Sequence, residues 1–417
     1  MVNWINRQNY KTLVWRILVL AILLRGIWAF LIPVIPLSDS SAYDVFAWNI
    51  VEHGTYGWTA DQPGSYWPVG TSAIYAFLYS IFGHVYWPIV IFNIAVGVGT
   101  IVVTMQLAEI VFDLPTSILA GLILSLWPTQ IMYVTVLASE LPFTLLTLSA
   151  LLVWLNNDQQ KIRGALFAGL LIAAASYIRP LALLLPFVFV VVEIARNRQW
   201  QKQVKMLTTA MLVMIILITP WSIRNTNLWG EFVLISTNGP PVFWMGNNPD
   251  SDGSYMKLPE WTNSLNEYER AEQLGKLSRE YIIDEPLSFI ARSFIKVAKV
   301  HSAETIAVHW NEKGIVEILG ASALLPLKII GQLYWLLILI AALTGIVILF
   351  YRSSWLKVFF HPTFIMWGYF ASIHGIIVAQ DRYHLPSVPY IAVLAAVTFM
   401  YLLEKMESNK ARKINQP

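Results

Sequence analysis

The chain has 417 residues, of which 57% are hydrophobic and 13% charged, and a mean hydropathy of +0.58. Soluble domains carry roughly 25% charged residues, so only about half the usual complement is left to face water; a soluble enzyme and a disordered chain are both excluded. The net charge of +3 gives no reason to expect nucleic acid, and with no cysteine there is no disulfide, thiolate metal site or cysteine nucleophile.

A membrane span needs about 20 mostly apolar residues. Such runs lie near 13–35, 85–111, 116–134, 137–155, 164–178, 181–195, 206–222, 324–350, 358–379 and 386–403. The pattern predicts an all-α polytopic membrane protein of about ten transmembrane helices, and the 18 tryptophans suit helix ends that meet lipid headgroups. Arg179-Pro180 separates two short runs, because proline breaks a helix at that point.

The run Trp67–Phe82 contains Pro68 and Gly70 and is ambiguous by length, so charge bias decides it. Cytoplasmic loops are rich in Lys and Arg. If this run does not cross, the clusters Arg7/Lys11/Arg16, Lys161/Arg163, Arg196/Arg198/Lys202/Lys205, Arg352/Lys357 and Lys405/Lys410/Arg412/Lys413 share one side. An interfacial helix over 67–82 and two cytoplasmic termini follow. The N-terminal apolar run is long and has no small-residue cleavage site, so no cleavable signal is expected.

Three modules are expected: 1–222, a transmembrane module with its first outer loop at 36–84; 223–322, an extracytoplasmic loop with interfacial helices; and 323–417, transmembrane helices with a cytoplasmic tail. The loop 36–84 contains no Lys or Arg but holds Asp39, Asp44, Glu52 and Asp61. In the second outer segment a helical pattern runs from Glu267 to Ile283, and Asp284-Glu285-Pro286 stops it and starts another helix.

Ser38 is placed to cap a short helix after the first span, and Asp39 and Tyr43, four apart, then share a face from which Asp44 points away. Asp39 is either a general base at the mouth of a bundle or an acid that stabilises a helix N-terminus. Tyr66-Trp67-Pro68-Val69-Gly70 lines the same mouth or anchors the membrane surface. Glu140, Arg179 and Arg224 stand at outer helix ends, where charged groups face a cavity or each other. Arg25, midway through the first span, reads as structural. Arg292, Lys296 and Lys299 form a basic stripe that either snorkels to headgroups or binds a lipid phosphate. Arg382, in a short loop between two spans, either holds an anion or pairs with Asp381. The seven histidines are scattered, and His301 and His309 lack a third ligand at useful spacing, so no metal site or other cofactor is indicated.

The carboxylates fall on the outer side, where activated groups are commonly carried on a membrane lipid phosphate. Phosphate is a good leaving group, so one base suffices where glycoside hydrolysis needs two carboxylates.

Taken in order, several motifs resemble the C-type polytopic glycosyltransferases, in particular the protein mannosyltransferase and lipid A aminoarabinose transferase superfamily. They are Asp39-x-x-x-Tyr43-x-x-x-Ala47, Tyr66-Trp67-Pro68-x-Gly70, Ser139-Glu140, Tyr177-Ile178-Arg179-Pro180, Pro220-Trp221-x-x-Arg224-Asn225, Ile235-Ser236-Thr237-Asn238-Gly239, Gly246-Asn247-Asn248-Pro249 and Arg382-Tyr383-x-x-Pro386. Several members carry Asp-Glu where this chain has Asp39-Ser40. The resemblance implies a bundle of that type and an inverting transfer from a polyprenyl-phosphate-linked sugar to an extracytoplasmic acceptor in the cytoplasmic membrane of a bacterium or archaeon. Asp39 then serves as base, and Arg382, with Lys296 or Lys299, lies near the lipid phosphate. Tyr43, Asp44, Tyr66, Glu140, Arg179, Arg224, Asn247 and Tyr383 complete the expected substrate contacts. Competing classes are a lipid-linked-sugar flippase and a non-catalytic subunit of an envelope glycan assembly complex; the scarcity of ionisable residues in the spans and the lack of paired half-repeats count against the flippase.

Overall fold

The computed structural model describes residues 7–156, 161–197 and 199–414. Arg198 of the expected basic clusters lies outside them, as do the side chains of Arg7, Lys161, Arg196, Arg412 and Lys413. In chain order the helices are α1 (Arg7–Leu31), α2 (Asp39–His53), α3 (Gly70–Phe82), α4 (Trp87–Val111), α5 (Leu114–Leu126), α6 (Pro128–Met132), α7 (Glu140–Leu155), α8 (Lys161–Ile178), α9 (Leu185–Asn197) and α10 (Trp200–Trp229). They continue with α11 (Gly239–Gly246), α12 (Glu267–Asp284), α13 (Pro286–Val300), α14 (Ile306–Trp310), α15 (Glu312–Leu319), α16 (Leu324–Arg352), α17 (Trp355–Phe359), α18 (Pro362–Ile376) and α19 (Val388–Ile414). One small hairpin, β1 (Gly57–Thr59) with β2 (Gln62–Pro63), interrupts the first loop.

Each of the ten expected spans is helical, and the helices alternate in direction. At one end of the bundle Tyr10 meets Ser117 (3.1 Å), Trp154 meets Gln203 (3.3 Å) and Arg352 meets Glu404 (2.8 Å). The predicted site residues collect at the other end. Five helices are long and apolar enough to cross a membrane, or six if the pair 114–126 and 128–135, bent by 57°, counts as one. Pro128, which cannot donate a backbone hydrogen bond, sits at that bend. The other four expected spans correspond to the shorter helices α7, α8, α9 and α18, of 16, 18, 13 and 15 residues. At 1.5 Å per residue they reach only about 20–27 Å. Ser139-Glu140 and Arg179-Pro180, which shorten α7, α8 and α9, are themselves parts of the site.

α3 has 13 residues and packs against α2 through Tyr43, Ala47, Tyr75, Ala76 and Tyr79. It is about 20 Å long. Gly70 at its start is needed for a close approach: a Cβ there would lie 2.7 Å from the Tyr177 carbonyl oxygen. Two motifs separated by more than a hundred residues, Tyr66–Gly70 and Tyr177–Pro180, are thereby held together.

Ser38 occupies the N-cap position of α2 but makes no side-chain cap bond, which corrects the expected role. Its φ of 55° and ψ of −125° explain why: the backbone is turned into a region that glycine favours, and it is the only non-glycine with positive φ among the described residues. Such a conformation costs on the order of 1–3 kcal/mol and persists only where the surroundings impose it. It immediately precedes Asp39.

Arg25 is buried, and its guanidinium donates to the carbonyls of Ala21, Leu124 and Ser125, each at 3.3 Å. The last two lie in the final turn of α5, where a cation is favoured. Arg25 is therefore structural. The boundary drawn at Asp284–Pro286 coincides with the junction of α12 and α13, and Asn266 and Glu269 form a capping box at the start of α12.

Helix α19 is the centre of the bundle: Tyr390 to Ala396 are wholly inaccessible, which is why its sequence is apolar on every face. α16 lies against it at Gly345, where a Cβ would fall 2.1 Å from the Leu394 carbonyl oxygen. Gly345→Ala must push the two helices apart, at a cost of about 1–3 kcal/mol typical of overpacking. A lower thermal unfolding midpoint in detergent is expected, and an unchanged one would contradict this packing.

Candidate active site

At the site end, five segments contribute side chains to one cluster of charges. Asp39 opens α2, Ser139 and Glu140 open α7, Arg179 follows α8, Trp310 ends α14, and Gln380 to Tyr383 lie between α18 and α19. Arg382 is central. It donates to Asp39 Oδ2 at 2.6 Å and to Gln380 Oε1 at 2.7 Å, and it stands 3.5 Å from Glu140 Oε1. Arg179 donates to the same Glu140 oxygen and, at 2.9 Å, to Ser139 Oγ. The four charges therefore alternate as Asp39, Arg382, Glu140, Arg179.

Aromatic rings support the cations. Arg382 lies 4.6 Å from the ring centroid of Trp310 and 5.4 Å from that of Tyr383, and Arg179 approaches the Tyr383 ring at 5.8 Å. Each cation over a ring face adds roughly 0.5–2 kcal/mol. His374 stacks on Tyr383 with centroids 4.3 Å apart. Burial works against the Arg382 charge, but Asp39, Tyr383 and Glu140 outweigh it and hold the guanidinium well above its ordinary pKa.

Glu140 differs from Asp39 in exposure. Its side chain is 1% exposed and committed to two arginines, whereas that of Asp39 is 25% exposed. Asp39 is thus the carboxylate with an open side. Tyr43, on the same helical face as expected, is buried; burial first and the nearby Asp39 second raise its pKa, so it stays a neutral hydroxyl. Tyr66 is pushed up to about 12, chiefly by burial, with Arg270 opposing and Asp39 reinforcing.

Other predicted residues hold structure instead. Asp44 is buried and accepts from Tyr79 (2.6 Å), Tyr86 (3.0 Å) and His84 (2.8 Å), tying α2 to α3 and to the segment that follows it. Arg224 donates to the Gly64 carbonyl at 2.6 Å and lies 4.8 Å from the Trp221 ring, which anchors the hairpin to α10. Asn247 donates to the carbonyls of Phe243, Ile376 and Ile377.

The stripe on α13 is not a headgroup contact, because it faces the protein. Lys296 is wholly buried and donates to Asn247 Oδ1 (2.8 Å) and the Ile376 carbonyl (2.9 Å). Burial, aided by Arg292, lowers its pKa to about 7. Lys299 pairs with Asp252 at 2.7 Å, and Arg292 donates to the Asn248 carbonyl at 2.7 Å. The opposite face of α13, with Leu287, Ile290 and Phe294, is the exposed one. The three cations thus fasten the loop 246–254, which bonds in turn to Ala379, three residues before Arg382.

The pairing of Arg382 with Asp381 is also corrected. Asp381 accepts from Thr305 at 3.2 Å, while the guanidinium turns to Gln380 and Asp39. Sequence reasoning missed Ser139, Trp310 and Gln380 as site residues. It also missed a buried group in which Glu304 accepts from Trp127 at 2.7 Å and stands 3.7 Å from His384, which stacks on Trp335. His384 had one available signal, its place two residues after Arg382.

No three His, Asp or Glu side chains converge on a metal position among the described residues. A cavity of about 930 Å³ lies at the far ends of α4 and α9, against Lys357 and Phe360, and includes none of the predicted site residues.

An all-helical bundle with its charged cluster in the loops of one end, and a short helix pair following the first pass, has the fold of the C-type polytopic glycosyltransferases. Residues 66–223 match the family model of the dolichyl-phosphate-mannose-protein mannosyltransferases. Among solved structures, the chain is similar to the archaeal oligosaccharyltransferase AglB from Archaeoglobus fulgidus in complex with an inhibitory peptide and a dolichol-phosphate, at 14% identity and a TM-score of 0.55 over 97% of this chain and 52% of that one. The apo form of the Archaeoglobus fulgidus oligosaccharyltransferase matches with 13% identity and a TM-score of 0.58, over 96% of this chain and 52% of the other. The chain therefore spans about half the length of these structures. No curated protein matches it.

Removing one partner of a buried ion pair strands the other and typically costs about 3–5 kcal/mol. Glu140→Gln is expected to lower the unfolding midpoint strongly, and Glu140→Gln with Arg179→Met to recover part of the loss. A Glu140→Gln variant as stable as the parent would contradict the buried position of this pair.

Proposed function

We propose that the protein is a membrane glycosyltransferase that moves a sugar from a polyprenyl-phosphate donor to an acceptor outside the cytoplasm, with inversion and with Asp39 as general base. The observation that carries this reading is the partly open Asp39 carboxylate in contact with a buried, ring-supported Arg382. A base and an anion-binding cation stand side by side at the bundle end. The family model supports a lipid-phosphate-linked sugar donor, as does the dolichol-phosphate held by the archaeal relative.

In this mechanism the acceptor hydroxyl gives its proton to Asp39 as its oxygen bonds to the sugar C1. The bond from C1 to the phosphate oxygen breaks, and its electron pair leaves with the phosphate. A sugar phosphodiester carries one negative charge and the released phosphomonoester up to two. The nearby guanidinium of Arg382 meets that developing charge, which is the kind of stabilisation that contributes most where water is excluded. Glu140 is buried with its Oε1 against two arginines, and departure of a phosphate does not require a second acid. The acidic loop 36–84 and the basic clusters at the far helix ends support a site on the outer face of the cytoplasmic membrane with both termini inside.

Asp39→Asn is expected to lower transfer from a defined lipid-phosphate sugar by about 10²–10⁴, the range of general-base catalysis. Arg382→Ala is expected to raise the apparent KM for the donor. Transfer at the parental rate by Asp39→Asn would remove the base assignment. Orientation is checked separately: Asp61 and Tyr255 are exposed on the site side, so cysteines placed there should both react with an impermeant thiol reagent added outside. Protection of both in intact cells would invert the topology.

A further inference from the structure

Resting on that glycosyl-transfer reading, we infer that Arg382 exchanges partners during turnover: it clamps Asp39 while the site is empty and moves to the donor phosphate when the lipid binds, which frees Asp39 to receive the acceptor proton.

The observations that carry this are the contacts of the two arginines. Arg179 is fixed by Ser139, by Glu140 and by the rings of Phe143 and Tyr383, of which Ser139, Glu140 and Phe143 are buried. Arg382 has one partner of another kind, since Asp39 is the most exposed member of the cluster and lies on a different segment. Its remaining contacts, Gln380 on the same loop, Glu140 Oε1 at 3.5 Å and the rings of Trp310 and Tyr383, involve its other nitrogens or its ring-facing plane and can be kept while the terminal nitrogen on Asp39 turns to another anion. A 2.6 Å charge-assisted bond from Arg382 holds Asp39 Oδ2 in place.

Charge balance gives the same answer. The cluster Asp39, Glu140, Arg179 and Arg382 sums to zero, so a phosphodiester must displace a carboxylate from an arginine to gain a strong partner. Glu140 is buried with both arginines on its Oε1, whereas Asp39 is partly exposed and meets one, so Asp39 is the carboxylate that yields. When transfer occurs, the acceptor O–H proton passes to Asp39 and neutralises it. The C1–O bond electrons pass to the phosphate, which gains the charge that Asp39 loses. Arg382 then faces the more negative phosphate and has no reason to return until the phosphate departs and Asp39 releases its proton. Donor binding thereby precedes acceptor activation, and the base is kept out of use while no donor is present.

The experiment measures equilibrium binding of undecaprenyl phosphate, with undecaprenol as the uncharged control, to the purified full chain and its variants. Apparent affinity is reduced by the fraction of protein whose binding group is occupied elsewhere, so Asp39→Asn should tighten undecaprenyl phosphate binding by about fivefold or more. In an Arg382→Gln background the same Asp39→Asn change should alter affinity by less than about twofold, because the shared partner is gone. Undecaprenol binding should not respond in either background. An unchanged or weaker affinity in Asp39→Asn would overturn the exchange. An equal gain in the Arg382→Gln background would also overturn it, since the effect would then be simple relief of repulsion. If Arg382→Gln does not fold, Arg382→Lys, which keeps the charge but loses the planar fork, takes its place and should give a gain below that seen with Arg382. The transfer assay separates this inference from the reading beneath it. An Asp39→Asn variant that loses transfer but binds undecaprenyl phosphate no better rejects the exchange and keeps the base.

Discussion

The contact on which the site depends is the one between Arg382 and Asp39, whose positions are 343 residues apart. It joins the loop before the last helix to the first residue of the first interfacial helix and so closes the ring of helices at one end. A guanidinium buried at this depth is held only because two carboxylates and two rings surround it. The same surroundings make it ready for another anion of similar geometry. In the proposed mechanism, stability of the closed end and affinity for a phosphate come from this one group, and the competition between them sets the starting state of the cluster.

Much of the surrounding structure serves to set that loop. Helix α13 turns its cations inward and its apolar face outward, the reverse of a soluble amphipathic helix. Lys296 and Arg292 bind carbonyls of the 246–254 loop and its neighbours, and this loop bonds to Ala379. The segment just ahead of Arg382 is therefore braced from the second polar segment of the chain. On the other side, the strained Ser38 backbone fixes the direction in which α2 starts and hence where Asp39 points.

The bundle and its two polar segments were legible from apolar run length and from proline, which act locally. Asp39 and Arg382 stood out for the same reason: each is a charge in a loop that is short or otherwise free of opposite charge. For Glu140 the sequence leaves an arginine partner and a substrate role equally open; the fold places Arg179 and Arg382 on its Oε1. Partner choice was not legible elsewhere. Adjacency suggested Asp381 for Arg382, yet a guanidinium at the end of a long side chain reaches past its neighbour to Asp39, and no periodicity encodes such a contact. The stripe on α13 was visible by its spacing of four and three, but spacing cannot tell whether lysines face headgroups or carbonyls. Only the fold supplied the loop that turns Lys296 inward. Span counting also had a limit, because α7, α8 and α9 are shortened by the breaks that place Ser139, Glu140 and Arg179 in the site.

The account is tested most directly by the structure of the full chain bound to undecaprenyl phosphate. It predicts the phosphate within hydrogen-bond distance of the Arg382 guanidinium, with the Asp39 carboxylate released and facing an open space large enough for an acceptor hydroxyl. A phosphate bound elsewhere, with the Asp39–Arg382 pair intact beside it, would contradict the account.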